Sequence, residues 1–237
     1  GLDYQGEHRA YPVQILNWHE VVNDKLIIPV AITWSPLCGS AVVFDRRVDG
    51  RTLVLGLSGK VENSCPVMYD QETESLWRQV SGEAVVGELF GKRLMQLAVE
   101  TVRWGDWKKT HQQTKVLSRE TGYERDYTSY PYGNYESVTE VYFLVEGNLD
   151  EKIHPKTVVY GITVGGVAKA YPWEMIETDT KEDGVLLDTV GGKRIRMSNH
   201  RGSIFVEDLQ TKGEIVSTRM FWFAWKALYP ETQIYGL

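Results

Sequence analysis

The stretch Ala-Ile-Thr-Trp-Ser-Pro-Leu-Cys-Gly-Ser-Ala-Val-Val-Phe-Asp, residues 31–45, decides how the fold is built. Two apolar runs rich in β-branched residues flank the polar segment 35–40, which predicts a strand, a tight turn and a second strand. Pro36 and Gly39 restrict the backbone, so we expect the turn to expose the thiol of Cys38. A cysteine in this turn is either a functional thiol held in a defined orientation or a small buried side chain, and both interpretations stay open.

Turn signals recur at short, regular intervals along the rest of the chain. This pattern predicts an α+β, mainly β fold of antiparallel sheets, barrel-like, with few short helices. We expect helices at residues 13–18, directly after Pro12, and at residues 104–111. Four tyrosines between residues 126 and 135, accompanied by proline and glycine, predict an ordered covering loop, because disordered segments avoid aromatic residues.

Three blocks of the sequence occur twice in the same order, which predicts two pseudo-repeated halves. In matched pairs, Tyr11 recurs as Tyr171, Cys38 is replaced by Arg201, and Trp107 recurs as Trp225. We interpret residues 1–145 as the half that carries any site. Residues 146–237 are then a shorter scaffold half packed into the same globular unit, with a connector at residues 146–154.

Composition limits the classes of partner. The chain has 237 residues, 42% of them hydrophobic, with a net charge of -6 and no long basic run. Nucleic-acid binding is therefore not expected, and small ligands or metal ions are the favoured partners. The sequence contains no apolar run of transmembrane length and opens without a signal peptide, so we expect membrane association only through an anchor outside this chain.

Several motifs resemble one prokaryotic family, the domain-of-unknown-function 3179 family, over nearly the whole chain. They are Arg-Ala-Tyr-Pro at 9–12, Ile-Leu-Asn-Trp-His-Glu-Val-Val-Asn-Asp at 15–24, Pro-Leu-Cys-Gly-Ser at 36–40, Val-Met-Tyr-Asp at 67–70, Glu-Ser-Leu-Trp at 74–77 and Thr-Gly-Tyr-Glu-Arg-Asp-Tyr at 121–127. The resemblance implies an exported protein, periplasmic or extracellular, with a membrane anchor in some precursors, and no established activity. Members usually carry Cys-x-x-Cys at this turn, whereas this chain has Ser35 first and a second cysteine at Cys65.

The first functional hypothesis is a soft-metal or redox-thiol centre in the first half. Cys38, Cys65, His19 and Met68 supply thiolate, imidazole and thioether donors, a set that suits copper or zinc. Each residue also has a structural interpretation: Met68 as core filling and His19 as a histidine at the end of a helix.

Two alternatives remain. Cys38 could be the nucleophile of a cysteine-dependent enzyme with His19 as base and the Gly39-Ser40 backbone as oxyanion hole. Cys38 and Cys65 could instead form a structural disulfide in a ligand- or partner-binding module without catalysis. The remaining histidines, among them His111, are expected to have packing or surface roles.

Overall fold

A computed structural model describes residues 1–147 and 153–236. The strands are β1 (Leu2–Tyr4), β2 (Glu7–Ala10), β3 (Val21–Lys25), β4 (Pro29–Ser35), β5 (Ser40–Asp45), β6 (Arg47–Val48), β7 (Arg51–Thr52), β8 (Leu55–Glu62), β9 (Cys65–Asp70), β10 (Leu76–Arg78), β11 (Ala84–Val86), β12 (Met95–Leu97), β13 (Lys115–Val116), β14 (Val158–Val164), β15 (Val167–Pro172), β16 (Val185–Val190), β17 (Lys193–His200), β18 (Ser203–Asp208), β19 (Thr218–Phe221) and β20 (Gln233–Ile234). The helices are α1 (Val13–His19), α2 (Trp104–Thr110), α3 (Trp173–Asp179) and α4 (Trp222–Leu228), with a 3-10 turn at Tyr135–Ser137.

The predicted mainly β fold is confirmed. The central sheet has the order β20-β15-β14-β19-β5-β4-β3, and β12 also pairs with β5. Its pairs are antiparallel except β20 with β15. Smaller sheets are β11-β10-β9-β8, β16-β17-β18, β1-β2-β13 and β6-β7. Among the described residues the sheets stay open, so the barrel-like character does not extend to a closed barrel.

The predicted hairpin at residues 31–45 forms β4 and β5, which lie inside the central sheet between β19 and the edge strand β3. Alternation places Ile32, Trp34 and Val43 on one face, in a core that also contains α1. Ala31 and Phe44 point to the other face, in the core beneath β9 and β10. The hairpin is therefore buried on both faces, which explains its nearly continuous apolar sequence.

The two halves make matching local contacts. In each, a tryptophan of the second helix donates to a threonine seven residues later, and a tyrosine before the first helix donates to an aspartate. The pairs are Trp107–Thr114 at 3.0 Å, Trp225–Thr232 at 2.7 Å, Tyr11–Asp24 at 2.7 Å and Tyr171–Asp188 at 2.7 Å. The duplication and the boundary near residue 145 stay predictions, and the expected connector lies partly outside the described residues. Among the described helices, none has the length and apolar character needed to cross a bilayer.

Residues 127–146, here called the tyrosine loop, include most of the covering loop predicted for residues 126–135 and continue beyond it. Tyr135 is fully buried at the start of the 3-10 turn. The ammonium of Lys156 lies 3.6 Å from the centre of its ring. That ammonium donates to the carbonyl oxygens of Tyr135, Val138 and Glu140 at 2.5, 2.6 and 2.6 Å. One buried cation therefore fixes the path of the loop, and burial lowers the pKa of Lys156.

Replacing Lys156 tests this arrangement. Lys156→Met removes the donor and leaves three carbonyls without it, so we expect a loss of about 2–4 kcal/mol in the free energy of unfolding. Urea denaturation measures the loss, and limited proteolysis should find new cleavage within residues 127–146. Lys181→Met, at an exposed lysine, is the matched control. Equal stability and equal protease resistance of the two variants would contradict the assignment.

Candidate thiol site

Cys38 and Cys65 lie together in one buried core. Cys38 stands in the turn between β4 and β5, and Cys65 is the first residue of β9. Their exposed fractions are 0% and 4%, so the expectation that the turn exposes the thiol is wrong. Both are free thiols in this structure, and both belong to one hydrophobic core cluster.

The local sequence explains how the side chain of Cys38 is oriented. Ser35 and Ser40 pair across the end of the hairpin and leave residues 36–39 to turn. Gly39 has φ +63°, and a Cβ there would lie 2.8 Å from the ring of Phe221, so glycine is required on two counts. The Cys38 amide donates to Ser35 Oγ at 3.3 Å, and its carbonyl accepts from Phe221 N at 2.8 Å. These contacts direct the side chain inward.

The second cysteine follows a tight hairpin turn. Asn63 and Ser64 both have positive φ, 51° and 61°, as the twist of a two-residue hairpin requires. This turn ends β8 and delivers Cys65 to the start of β9, opposite Glu62.

The tyrosine loop contacts both cysteine turns. Tyr130 and Tyr135 donate through their hydroxyls to the carbonyls of Pro36 and Leu37, at 3.4 and 3.0 Å. At its other end, Phe143 accepts from Ser64 Oγ at 3.2 Å and Glu146 N donates to the Asn63 side chain at 2.7 Å. The loop therefore covers the thiol pair by holding the turns that carry it.

A chain of buried hydrogen bonds connects Cys38 to the central sheet. Cys38 Sγ lies 3.1 Å from Ser40 Oγ, and Ser40 donates to Gln79 Oε1 at 2.8 Å. Gln79 Nε2 donates to Thr33 Oγ1 at 2.8 Å, and Thr33 donates to the carbonyl of Val42 at 2.7 Å. A hydroxyl has one proton, so in this arrangement Cys38 donates to Ser40 as a neutral thiol.

Exchanging the positions of the oxygen and nitrogen atoms of the Gln79 amide would reverse the direction of these hydrogen bonds. Its NH₂ group would then donate to Ser40, whose proton would become free to reach Cys38. One arrangement suits a thiol and the other suits a thiolate. The buried amide therefore gives Cys38 hydrogen-bonding partners in either protonation state.

The two thiols differ in acidity. Burial raises the pKa of Cys38, but hydrogen bonds from Cys65, Ser35 and Ser40 outweigh burial and lower the pKa overall. Burial and the adjacent Cys38 raise the pKa of Cys65 well above its ordinary value. The lowered pKa of Cys38 and the raised pKa of Cys65 make Cys38 the sulfur that ionises first.

The structure does not bring His19 to the thiols. His19 Nε2 lies 2.7 Å from the hydroxyl of Tyr127, and its ring packs beside Tyr123. Burial and the charge of Arg125 lower its pKa. The next residue, Glu20, caps the C-terminal end of α1, and burial raises its pKa to about 7. In the described residues, no hydrogen bond joins His19 to Cys38.

Met68 faces away from the sulfurs. Cys65 and Met68 stand three positions apart in β9, so their side chains leave opposite faces of the strand. Met68 is opposite Trp77 in the neighbouring strand and packs in the core beneath the central sheet. Met68 therefore fills space in the core, which is the structural interpretation that the sequence analysis gave for it.

Sequence reasoning missed a second group of metal-ligand types. Asp3, His8 and His111 place one ligand atom each within 4.8 Å of one another, and among the described residues this is the one such group of three. For His111 the sequence predicted a packing or surface role. One signal was present, because the predicted repeat aligns His111 with Tyr229, so the imidazole is found only in the first copy.

An apolar cavity of about 630 Å³ opens on the other side of the β4–β5 hairpin. Trp34, Trp104 and Trp107 contribute to its wall, with aliphatic side chains from β4, β5 and β12–α2. Its lining is that of a pocket for an apolar small ligand.

Comparison with known proteins gives one match. A family model described as "Protein of unknown function (DUF3179)" matches residues 1–214. No curated protein matches the chain, and no solved structure does.

Removing one hydroxyl tests the acidity of Cys38. Ser40→Ala deletes a group that lowers this pKa, so we expect the pKa of Cys38 to rise. The measurement is the ultraviolet absorbance of the thiolate against pH, taken as the difference from Cys38→Ser. Ser58→Ala, whose hydroxyl donates to the carbonyl of Val67, is the control. An unchanged or lower pKa in Ser40→Ala would show that Ser40 does not stabilise the thiolate.

Proposed function

The chain belongs to the DUF3179 family, and from its buried thiol pair we propose that it is an exported thiol redox protein that exchanges a disulfide with a partner. The observation that carries this proposal is the burial of two free thiols, Cys38 and Cys65, in one core cluster. Two thiols that share one core can form a disulfide without joining distant parts of the fold. Export agrees with this chemistry, because disulfides persist in oxidising compartments.

The acidity difference assigns the order of events. The Cys38 thiolate attacks one sulfur of a partner's disulfide, and the partner's other sulfur leaves as a thiolate that takes up a proton. Cys65 then loses its proton and attacks Cys38 Sγ, which breaks the mixed disulfide and releases the second partner thiol. Two electrons pass to the partner disulfide, and the protein retains a Cys38–Cys65 bond. The reverse sequence returns the dithiol.

Burial imposes a condition on this reaction. A partner sulfur must reach Cys38, whose side chain is fully covered. The contacts of the tyrosine loop with the two turns are mostly single hydrogen bonds to backbone groups. The loop contributes no strand to the central sheet, so it can move without breaking that sheet, and we assign the loop as the cover of the site.

A second candidate is binding of copper(I) by the same two sulfurs. Soft thiolates favour this ion, whereas a structural zinc site needs four ligands. In the described residues, no group of three His, Cys, Asp or Glu ligands includes either cysteine, which favours copper over zinc. The cysteine-enzyme alternative has less support, because the imidazole of His19 is bonded to Tyr127 instead.

Redox titration tests the first candidate. We expect folded protein in dithiothreitol redox buffers to pass reversibly between two titratable thiols and none, with a single two-electron midpoint. Cys65→Ser should instead accumulate a mixed disulfide at Cys38, and Cys38→Ser should react far more slowly. A disulfide that is reduced only after unfolding would identify a structural link and overturn the proposal, as would failure to form any disulfide. Copper(I) bound in competition with a chromophoric chelator, and lost in Cys65→Ser, would support the second candidate.

A further inference from the structure

The Asp3, His8 and His111 side chains meet at one edge of the first half, away from the thiol pair. Asp3 in β1 and His8 in β2 are directly opposite each other in the hairpin. His111 follows α2, and the chain then returns as β13, which pairs in parallel with β2. Two separate segments, a hairpin and a helix end, are thus held together by strand pairing.

The distances suit a shared cation. His8 Nε2 lies 3.3 Å from Asp3 Oδ2, and His111 Nε2 lies 3.8 Å from the same oxygen. The centres of the two imidazole rings are 4.4 Å apart. Ligands about 2.0–2.1 Å from a tetrahedral zinc ion are separated by about 3.3 Å. The three ligand atoms lie within 4.8 Å of one another, so closing the group around an ion needs side-chain adjustments of no more than about 1.5 Å.

Hydrogen bonds fix the direction of the His111 lone pair. Thr110 Oγ1 donates to the carbonyl of Trp107 at 3.0 Å, which uses its proton. His111 Nδ1 lies 2.9 Å from that hydroxyl, so Nδ1 carries the hydrogen and donates. The lone pair is then on Nε2, facing the carboxylate. The ring is also stacked 3.8 Å from Trp107, so its orientation is set as it is for metal-binding histidines supported by a second shell.

We propose that Asp3, His8 and His111 form a binding site for a divalent transition metal ion of the zinc class. Two imidazole nitrogens and one carboxylate oxygen supply three protein ligands and leave further positions for water or a small ligand. Magnesium is disfavoured, because it selects oxygen ligands. In the second half, the positions matched by the repeat are Thr163, Ala168 and Tyr229, which supply neither imidazole nor carboxylate. The site is specific to the first half.

Calorimetric titration of chelator-treated protein with zinc chloride tests the proposal. The Cys38→Ser/Cys65→Ser double variant is used as the background, so that thiols contribute nothing and the outcome is independent of the redox proposal. We expect one zinc ion per chain, with affinity lowered more than about tenfold by His8→Gln and by Asp3→Asn. Magnesium chloride should give no binding at the same concentrations.

His154→Gln is the control, since this exposed histidine lies elsewhere in the chain. Its zinc affinity should equal that of the background protein. Thermal unfolding provides a second measurement, because a ligand bound to the folded state raises Tm. Zinc should raise the Tm of the background protein and of His154→Gln. The Tm of His8→Gln should be the same with and without zinc. No zinc binding, or equal affinity in His8→Gln and His154→Gln, would overturn the proposal.

Discussion

The buried amide of Gln79 is the contact on which the thiol site depends. It extends from the end of β10 into the central sheet and bonds to Thr33 of β4 and Ser40 of β5. Gln79 is 1% exposed, so both ends of its amide need partners inside the protein. The amide has both partners only if the β4–β5 hairpin and the four-stranded sheet β11-β10-β9-β8 are held at one fixed distance from each other. That requirement also fixes Ser40, and through Ser40 the position of the Cys38 sulfur.

Around this contact, polar groups are confined to a narrow seam between apolar cores. Thr33, Ser35 and Ser40 share one face of the hairpin at its turn end, while Ala31 and Phe44 of the same face pack into the core beneath. A seam of neutral donors in a low-dielectric interior stabilises a thiolate without bringing a full charge beside it. Arg219 contributes from the other side, where its guanidinium bonds to the carbonyl of Gly39 and lies 5.4 Å from the centre of the Trp34 ring.

What the sequence could predict was local. Alternation and turn residues within 31–45 identify the hairpin, Pro12 precedes α1, and the tyrosines between 126 and 135 identify a packed cover. The depth of Cys38 could not be predicted, because its burial comes from Tyr135 and Phe221, which are remote in sequence. Gln79 is 39 residues from Ser40, and His111 is brought to His8 by pairing of β13 with β2. Such contacts depend on which strands pair and in which register, and this information cannot be read from a single sequence. The pairing of Cys38 with Cys65 was proposed from residue type alone, and in the structure both residues lie in the same core cluster.

In the central sheet, strands from the N-terminal and C-terminal parts of the chain meet side by side at β5 and β19. Ala41 of β5 is opposite Arg219 of β19, and these residues are about three-quarters of the chain apart. Bringing such distant strands together closes a very long loop, and topologies of this kind assemble slowly. During synthesis, β5 emerges well before β19 exists, and until then this edge of β5 has one neighbour fewer than in the finished sheet. The part of β5 around Ala41 therefore lacks its β19 partner during most of translation, and the central sheet is completed only after β19 has been made.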